Sequence, residues 1–179
     1  RRLRETHGAN WLMELMRLSA YDREARAALL SRHRILRLLA GCEGKLAVAS
    51  GLLREHVTDQ VLIFTESNAT VYDLSRRHLI PALTHETKAA ERKRVLEAYR
   101  AGDYRALVTS KVLNEGIDVP EAKVAIVLGG TSSAREYIQR LGRVLRKTGS
   151  LEAVLYEVIA RDTVDEGRAQ HRRPKAGSA

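Results

Sequence analysis

Four short apolar runs constrain this chain more than any other feature: Val61-Leu62-Ile63-Phe64, Ala106-Leu107-Val108, Val124 to Leu128, and Ala153 to Ile159. They are rich in β-branched residues and mostly continuous rather than alternating, the pattern of strands buried on both faces. Amphipathic stretches separate them, and the spacing predicts helices over 68–78, 88–100 and 134–146. Strand, helix, strand in this order predicts an α/β fold, a parallel sheet with helices on both faces. Residues 79–83 read as a further short strand, where Pro81 cannot donate to a ladder and so belongs at a strand end or sheet edge.

Upstream the texture is different. From Asn10 to Leu39, apolar residues recur at mixed three and four spacings among arginines, which predicts two helices. A break at Gly41-Cys42-Glu43-Gly44 precedes another predicted helix, Lys45 to His56. Three segments follow: a helical extension over 1–44, an α/β domain over 45–162, and a basic tail over 163–179 that is expected to be mobile. Asp165-Glu166 falls in that tail and reads as solvated surface.

Composition bounds the function classes. The 179 residues, 44% of them hydrophobic, suffice for one real core. The 31 Lys and Arg against 22 Asp and Glu leave a formal charge of +9, which suits a polyanionic partner but does not single one out. A single cysteine, Cys42, excludes an internal disulfide framework and a cysteine-based zinc site. The six histidines show no close ligand spacing, so no metal site is expected. No apolar run approaches the roughly 20 residues that span a bilayer, and the first residues lack a signal-peptide core. The chain is expected to be soluble and, beginning with Arg1, to be part of something longer.

In an open parallel sheet, ligands lie beyond the carboxyl ends of the strands. There the sequence places Thr65-Glu66-Ser67-Asn68, Thr84-His85-Glu86-Thr87, Thr109-Ser110-Lys111 and Gly129 to Ser133. Small hydroxyls and glycines offer donors to phosphate oxygens without reading bases. Each is equally explained as a helix cap, and Ser133 with Glu136 forms a capping-box pattern that needs no ligand. On the predicted helix 134–146, Gln139, Gly142, Arg143 and Arg146 share one face, opposite Ile138, Leu141 and Leu145. A solvated face is the ordinary outcome for such arginines. Gly142 counts against it, since glycine costs a helix interior about 0.5–1 kcal/mol relative to Ala. In Asn114-Glu115-Gly116-Ile117-Asp118, the Asp118 carboxylate suits a ribose hydroxyl or its own turn, and local sequence favours the turn.

What is missing bears on enzymology. Gly41-Cys42-Glu43-Gly44-Lys45-Leu46 fails the phosphate-loop pattern on spacing, lacks the hydroxyl and follows helix rather than strand. Gly129-Gly130 lacks dinucleotide-loop spacing, and no Ser-His or Cys-His nucleophile signature is present. Hydrolysis by this chain unaided is not expected.

VLIFTESN resembles motif IV, LVTSKVLNEGIDVPEAK motif V and SSAREYIQRLGRVLRK motif VI of superfamily 2 helicases, in that order. QRLGRVLR, LIPALTH and EAVLYEVIAR are similar to the XPB type, a DNA-repair and transcription translocase family. The resemblance covers most of the chain. It implies a RecA-like fold and the second of two motor domains that close on ATP and one nucleic-acid strand. Carried over by position, Arg143 and Arg146 would be arginine fingers, Gln139 would reach the γ-phosphate, and Gly116 and Asp118 would lie near the ribose. Thr65, His85, Thr109 and Ser110 would line the strand's backbone track. ATP and Mg2+ would be held mainly by the first motor domain, whose motifs this chain lacks. The helices before residue 45 take the place of a thumb between the motors.

The implied partners are DNA, the first motor domain, and a repair nuclease or transcription and repair factors. The implied location is the cytoplasm, in association with the nucleoid, in a prokaryote, or the nucleus in a eukaryote. A non-catalytic nucleic-acid-binding or partner-docking module, and a different superfamily 2 translocase, remain open alternatives.

Overall fold

The computed structural model describes residues 2–110, 122–129 and 153–172. The chain divides into two compact units, Arg1–Leu38 and Leu39–Ala179, so the division falls ahead of the expected boundary at residue 44. The first unit holds α1 (Arg2–His7), a 3-10 turn (Gly8–Asn10), α2 (Trp11–Leu18) and most of α3 (Arg23–Ala40). Leu15 is its buried anchor. Asp22 accepts the Ala25 N–H at 2.8 Å and so caps the start of α3, while the Arg26 guanidinium donates to the carbonyls of Ser19 and Ala20 at 3.0 and 2.9 Å. Those two bonds satisfy acceptors that the end of α2 leaves free.

The second unit is a five-stranded sheet in the order β2-β3-β1-β4-β5. Its strands are β1 (Val61–Phe64), β2 (Ala82–Leu83), β3 (Ala106–Thr109), β4 (Val124–Val127) and β5 (Val154–Glu157). Every pairing is parallel, with Leu62 opposite Leu107 on one side and Ala125 on the other. All residues of β1, β3 and β4 are buried, as their continuous apolar runs predict. Strands β2 and β5 form the edges, and Pro81 lies just outside β2, where its missing donor costs nothing.

Helices α4 (Glu43–Glu55) and α5 (Asn68–His78) cover one face: Leu46, Ala49, Val71 and Leu74 pack with Val61, Ile63, Val108 and Ile126. Helix α6 (Ala89–Ala101) covers the other, where Leu96 and Tyr99 meet Leu62, Phe64, Leu107 and Ala125. Each buried aliphatic contributes about 1.5–3 kcal/mol relative to its exposed state. Helix α6 stops at Gly102, whose φ of 86° suits a residue without Cβ. The expected helix over 134–146 lies outside the described residues.

One expectation is corrected. In place of a tail beginning at residue 163, the chain forms α7 (Val164–Arg172). Thr163 accepts the Asp165 N–H at 3.1 Å, and Glu166 reaches back to the Asp162 N–H at 3.3 Å, a pattern close to a capping box. Asp165, expected to be solvated, is 2% exposed. Its burial is sustained by hydrogen bonds that replace the lost water.

Candidate functional site

Because all strands run in parallel, their carboxyl ends meet along one edge of the sheet. Thr65 follows β1, Thr84 follows β2, Ser110 follows β3 and Leu128 follows β4. The loops are stitched together by main chain: Thr65 N–H donates to the Thr109 carbonyl at 3.0 Å, Ser110 N–H to Leu83 at 3.1 Å, and Leu128 N–H to Phe64 at 2.9 Å.

Of the four side chains expected along a nucleic-acid track, only His85 stands out from the surface, with its side chain 72% exposed. Its Nδ1 lies 3.0 Å from the Asn68 amide at the start of α5. Thr65 and Ser110 are nearly buried, and Thr65 Oγ1 accepts the Ser67 N–H at 3.4 Å. Thr109 is fully buried and its hydroxyl donates to the Ser110 carbonyl at 2.9 Å. In this arrangement Thr109 shapes the loop through its backbone, and its hydroxyl does not face solvent. Gly116, Asp118, Gln139, Arg143 and Arg146 lie outside the described residues.

The loop carrying His85 is held from below. Thr84 Oγ1 accepts the Glu86 N–H at 3.2 Å and lies 3.1 Å from the Tyr72 hydroxyl, which donates to Glu86 at 2.7 Å. Arg92 donates to the carbonyls of Thr84 and Thr87 at 3.4 and 3.1 Å. These contacts fix the backbone of residues 84–87, and the exposed His85 ring lies between Asn68 and Glu86, its Nε2 3.9 Å from the Glu86 carboxylate.

Sequence reasoning missed a polar cluster at the same edge. Lys45 donates to the Leu128 carbonyl at 2.7 Å and forms an ion pair with Asp165, both side chains almost fully buried. Asp165 also accepts the Ala160 N–H at 3.1 Å. Next to it, Arg168 pairs with Glu66 at 3.1 Å. The lysine of the failed phosphate loop therefore ties α4, the end of β4 and α7 together. Two sequence signals could have revealed it: Lys45 shares a helix side with Ala49 and Leu52, and Thr163 to Glu166 has capping-box spacing.

Away from this edge, the Lys123 ammonium and then His56 hold the Asp59 carboxyl below its usual range. Burial first, then the Arg77 and Arg54 charges, hold the His78 imidazole below its usual value; its Nε2 lies 2.8 Å from the Ser50 hydroxyl. Among the described residues, no group of three or more His, Cys, Asp or Glu comes together as a metal site. No described helix is long and apolar enough to cross a membrane.

Residues 44–148 match the family model of the helicase conserved C-terminal domain. Over 159 residues the chain is 39% identical to the DNA 3'-5' translocase XPB2 of Sulfurisphaera tokodaii, covering 89% of this chain and 36% of that protein. It is 40% identical over 139 residues to the DNA 3'-5' helicase XPB of Kineococcus radiotolerans, covering 76% of this chain and 25% of that protein. The chain thus spans about a third or less of these relatives' length. The E. coli DEAD-box protein SrmB has a similar fold, with a TM-score of 0.59 over 70% of this chain and 76% of that one at 22% identity.

Proposed function

Because the chain belongs to the helicase conserved C-terminal domain family, we propose that it is the second RecA-like motor domain of an ATP-dependent superfamily 2 DNA translocase of the XPB type. The observation that carries this reading is the coincidence of the 44–148 match with a parallel sheet whose strand ends bear the motif IV loop and Thr109-Ser110 along one edge. XPB-named relatives at 39% and 40% identity support the DNA assignment.

ATP and Mg2+ are bound mainly by a first motor domain. The present chain, as the second domain, supplies Arg143 and Arg146 as arginine fingers for charge developing on the transferred phosphoryl group. Gln139 reaches the γ-phosphate region, and Gly116 and Asp118 lie by the ribose and the moving interface. The strand's backbone is tracked by Thr65, His85, Thr109 and Ser110. His85 meets phosphate with its side chain, and Thr109 acts through the loop backbone that its hydroxyl holds. Closure on ATP and release after hydrolysis advance these contacts along the strand. The helices before residue 45 form the arm between the motors, and this chain without its first domain does not turn over ATP. DNA, the first motor domain, and repair or transcription factors are the partners, with the nucleoid or the nucleus as location.

Fingers of this kind are worth about 10³–10⁵ in rate in other phosphoryl-transfer systems. Arg143→Ala or Arg146→Ala, made in the protein that carries both motor domains, should abolish nucleic-acid-stimulated ATP turnover and leave the fold intact. Near-normal turnover in a folded variant contradicts the finger assignment.

A further inference from the structure

Glu66 is chemically out of place. It directly follows Thr65 at the end of β1, on the edge assigned to a phosphate backbone, where a carboxylate repels what the loop must attract. Its partner comes from an element that the matched family region does not include: residues 44–148 match, and α7 begins at Val164. Arg168 Nη2 lies 3.1 Å from Glu66 Oε1, with the two side chains only 21% and 15% exposed.

The position of Arg168 is fixed by what lies beside it on the helix. Asp165, Arg168 and Ala169 fall at i, i+3 and i+4 and share one side of α7. Asp165 is locked by Lys45 and the Ala160 N–H, and Ala169 is 1% exposed. Arg168 is thus carried on a buried base, whereas an exposed arginine would have to be ordered for each contact.

We infer that Arg168 is a positioning residue for nucleic-acid binding: docked by α7, it neutralises Glu66 so that a phosphate backbone can pass the end of β1. This deepens the proposed function and rests on it. The guanidinium remains on Glu66 and forms no base contact, so its influence is electrostatic and sequence-independent.

Binding of a fluorescein-labelled oligothymidylate to the protein carrying both motor domains, at about 50 and 200 mM salt, tests this. One unpaired charge near a phosphate in a watery setting is worth about two- to fivefold in affinity. Arg168→Ala should weaken binding by that factor at low salt and by less at high salt, with Arg168→Lys close to wild type. Glu66→Gln alone should bind at least as tightly as wild type, and Glu66→Gln combined with Arg168→Ala, which leaves no net charge at the pair, should recover the wild-type affinity. A purely structural role predicts no such rescue. The inference is overturned if Arg168→Ala binds like wild type, if Glu66→Gln weakens binding, or if the double variant stays weak. In each of those cases wild-type binding leaves the proposed function standing. A folded wild-type protein that binds no oligonucleotide overturns both.

Discussion

Asp165→Asn keeps the shape of the side chain and removes its charge, leaving the Lys45 ammonium buried opposite a neutral amide. The side chains of Lys45 and Asp165 are 2% and 3% exposed, so water cannot take over the lost partner. Breaking one side of such a pair costs about 3–5 kcal/mol. The Leu128 carbonyl, 2.7 Å from Lys45 Nζ, remains as an acceptor and favours the lower part of that range. With a urea slope of about 2 kcal/mol per M, the unfolding midpoint should fall by about 1.5–2.5 M. Against a native stability of about 5–15 kcal/mol, that is a large loss. Replacing both partners by apolar residues, Lys45→Met with Asp165→Leu, should return stability to within about 2 kcal/mol of wild type or above it, because no orphaned charge is left. A midpoint shift below about 0.5 M for Asp165→Asn, followed by circular dichroism, would refute the claim that α7 is docked through a dry ion pair.

Two acid-side predictions follow from the titrating groups. Burial lowers the His78 value, so the unfolded chain takes up a proton first; the associated stability is present above about pH 6.5 and is lost as pH falls toward the folded value. Urea midpoints against pH should show that loss, and His78→Gln should flatten it. Lys123 and then His56 lower the Asp59 value, so its contribution is present above about pH 3.8 and disappears as pH falls through the folded value. Asp59→Asn should be less stable at neutral pH and less sensitive to acid in that lower range, as read by the same midpoints.

The sheet was legible in the sequence because its central strands are buried on both faces, so β1, β3 and β4 read as unbroken apolar runs. Helix α5 matches its predicted limits at Asn68 and His78, and Pro81 correctly marked an edge. Helix α7 was hidden because it docks through few buried side chains, chiefly Asp165 and Ala169, and its composition is otherwise polar. Composition cannot tell a carboxylate paired with a distant lysine from one in water, since Lys45 lies far away in the chain. Among the described residues, the hydroxyl loops after β1, β2 and β3 begin where they were expected, but their side chains do not all face outward. Thr109 looks like a ligand group in sequence and spends its hydroxyl on the neighbouring carbonyl, whereas His85 is the group left facing outward. A hydroxyl two bonds from its own Cα meets a local acceptor before it meets a ligand.

The central claim is that this chain completes a motor site built with another domain. ATP turnover should be measured with a single-stranded oligonucleotide present, for the chain alone, for the first motor domain alone, and for the two mixed and shown to associate. Turnover only in the mixture, and lost with Arg143→Ala, is the predicted result. Turnover by this chain alone, or its absence from a folded and associated mixture, would contradict the account.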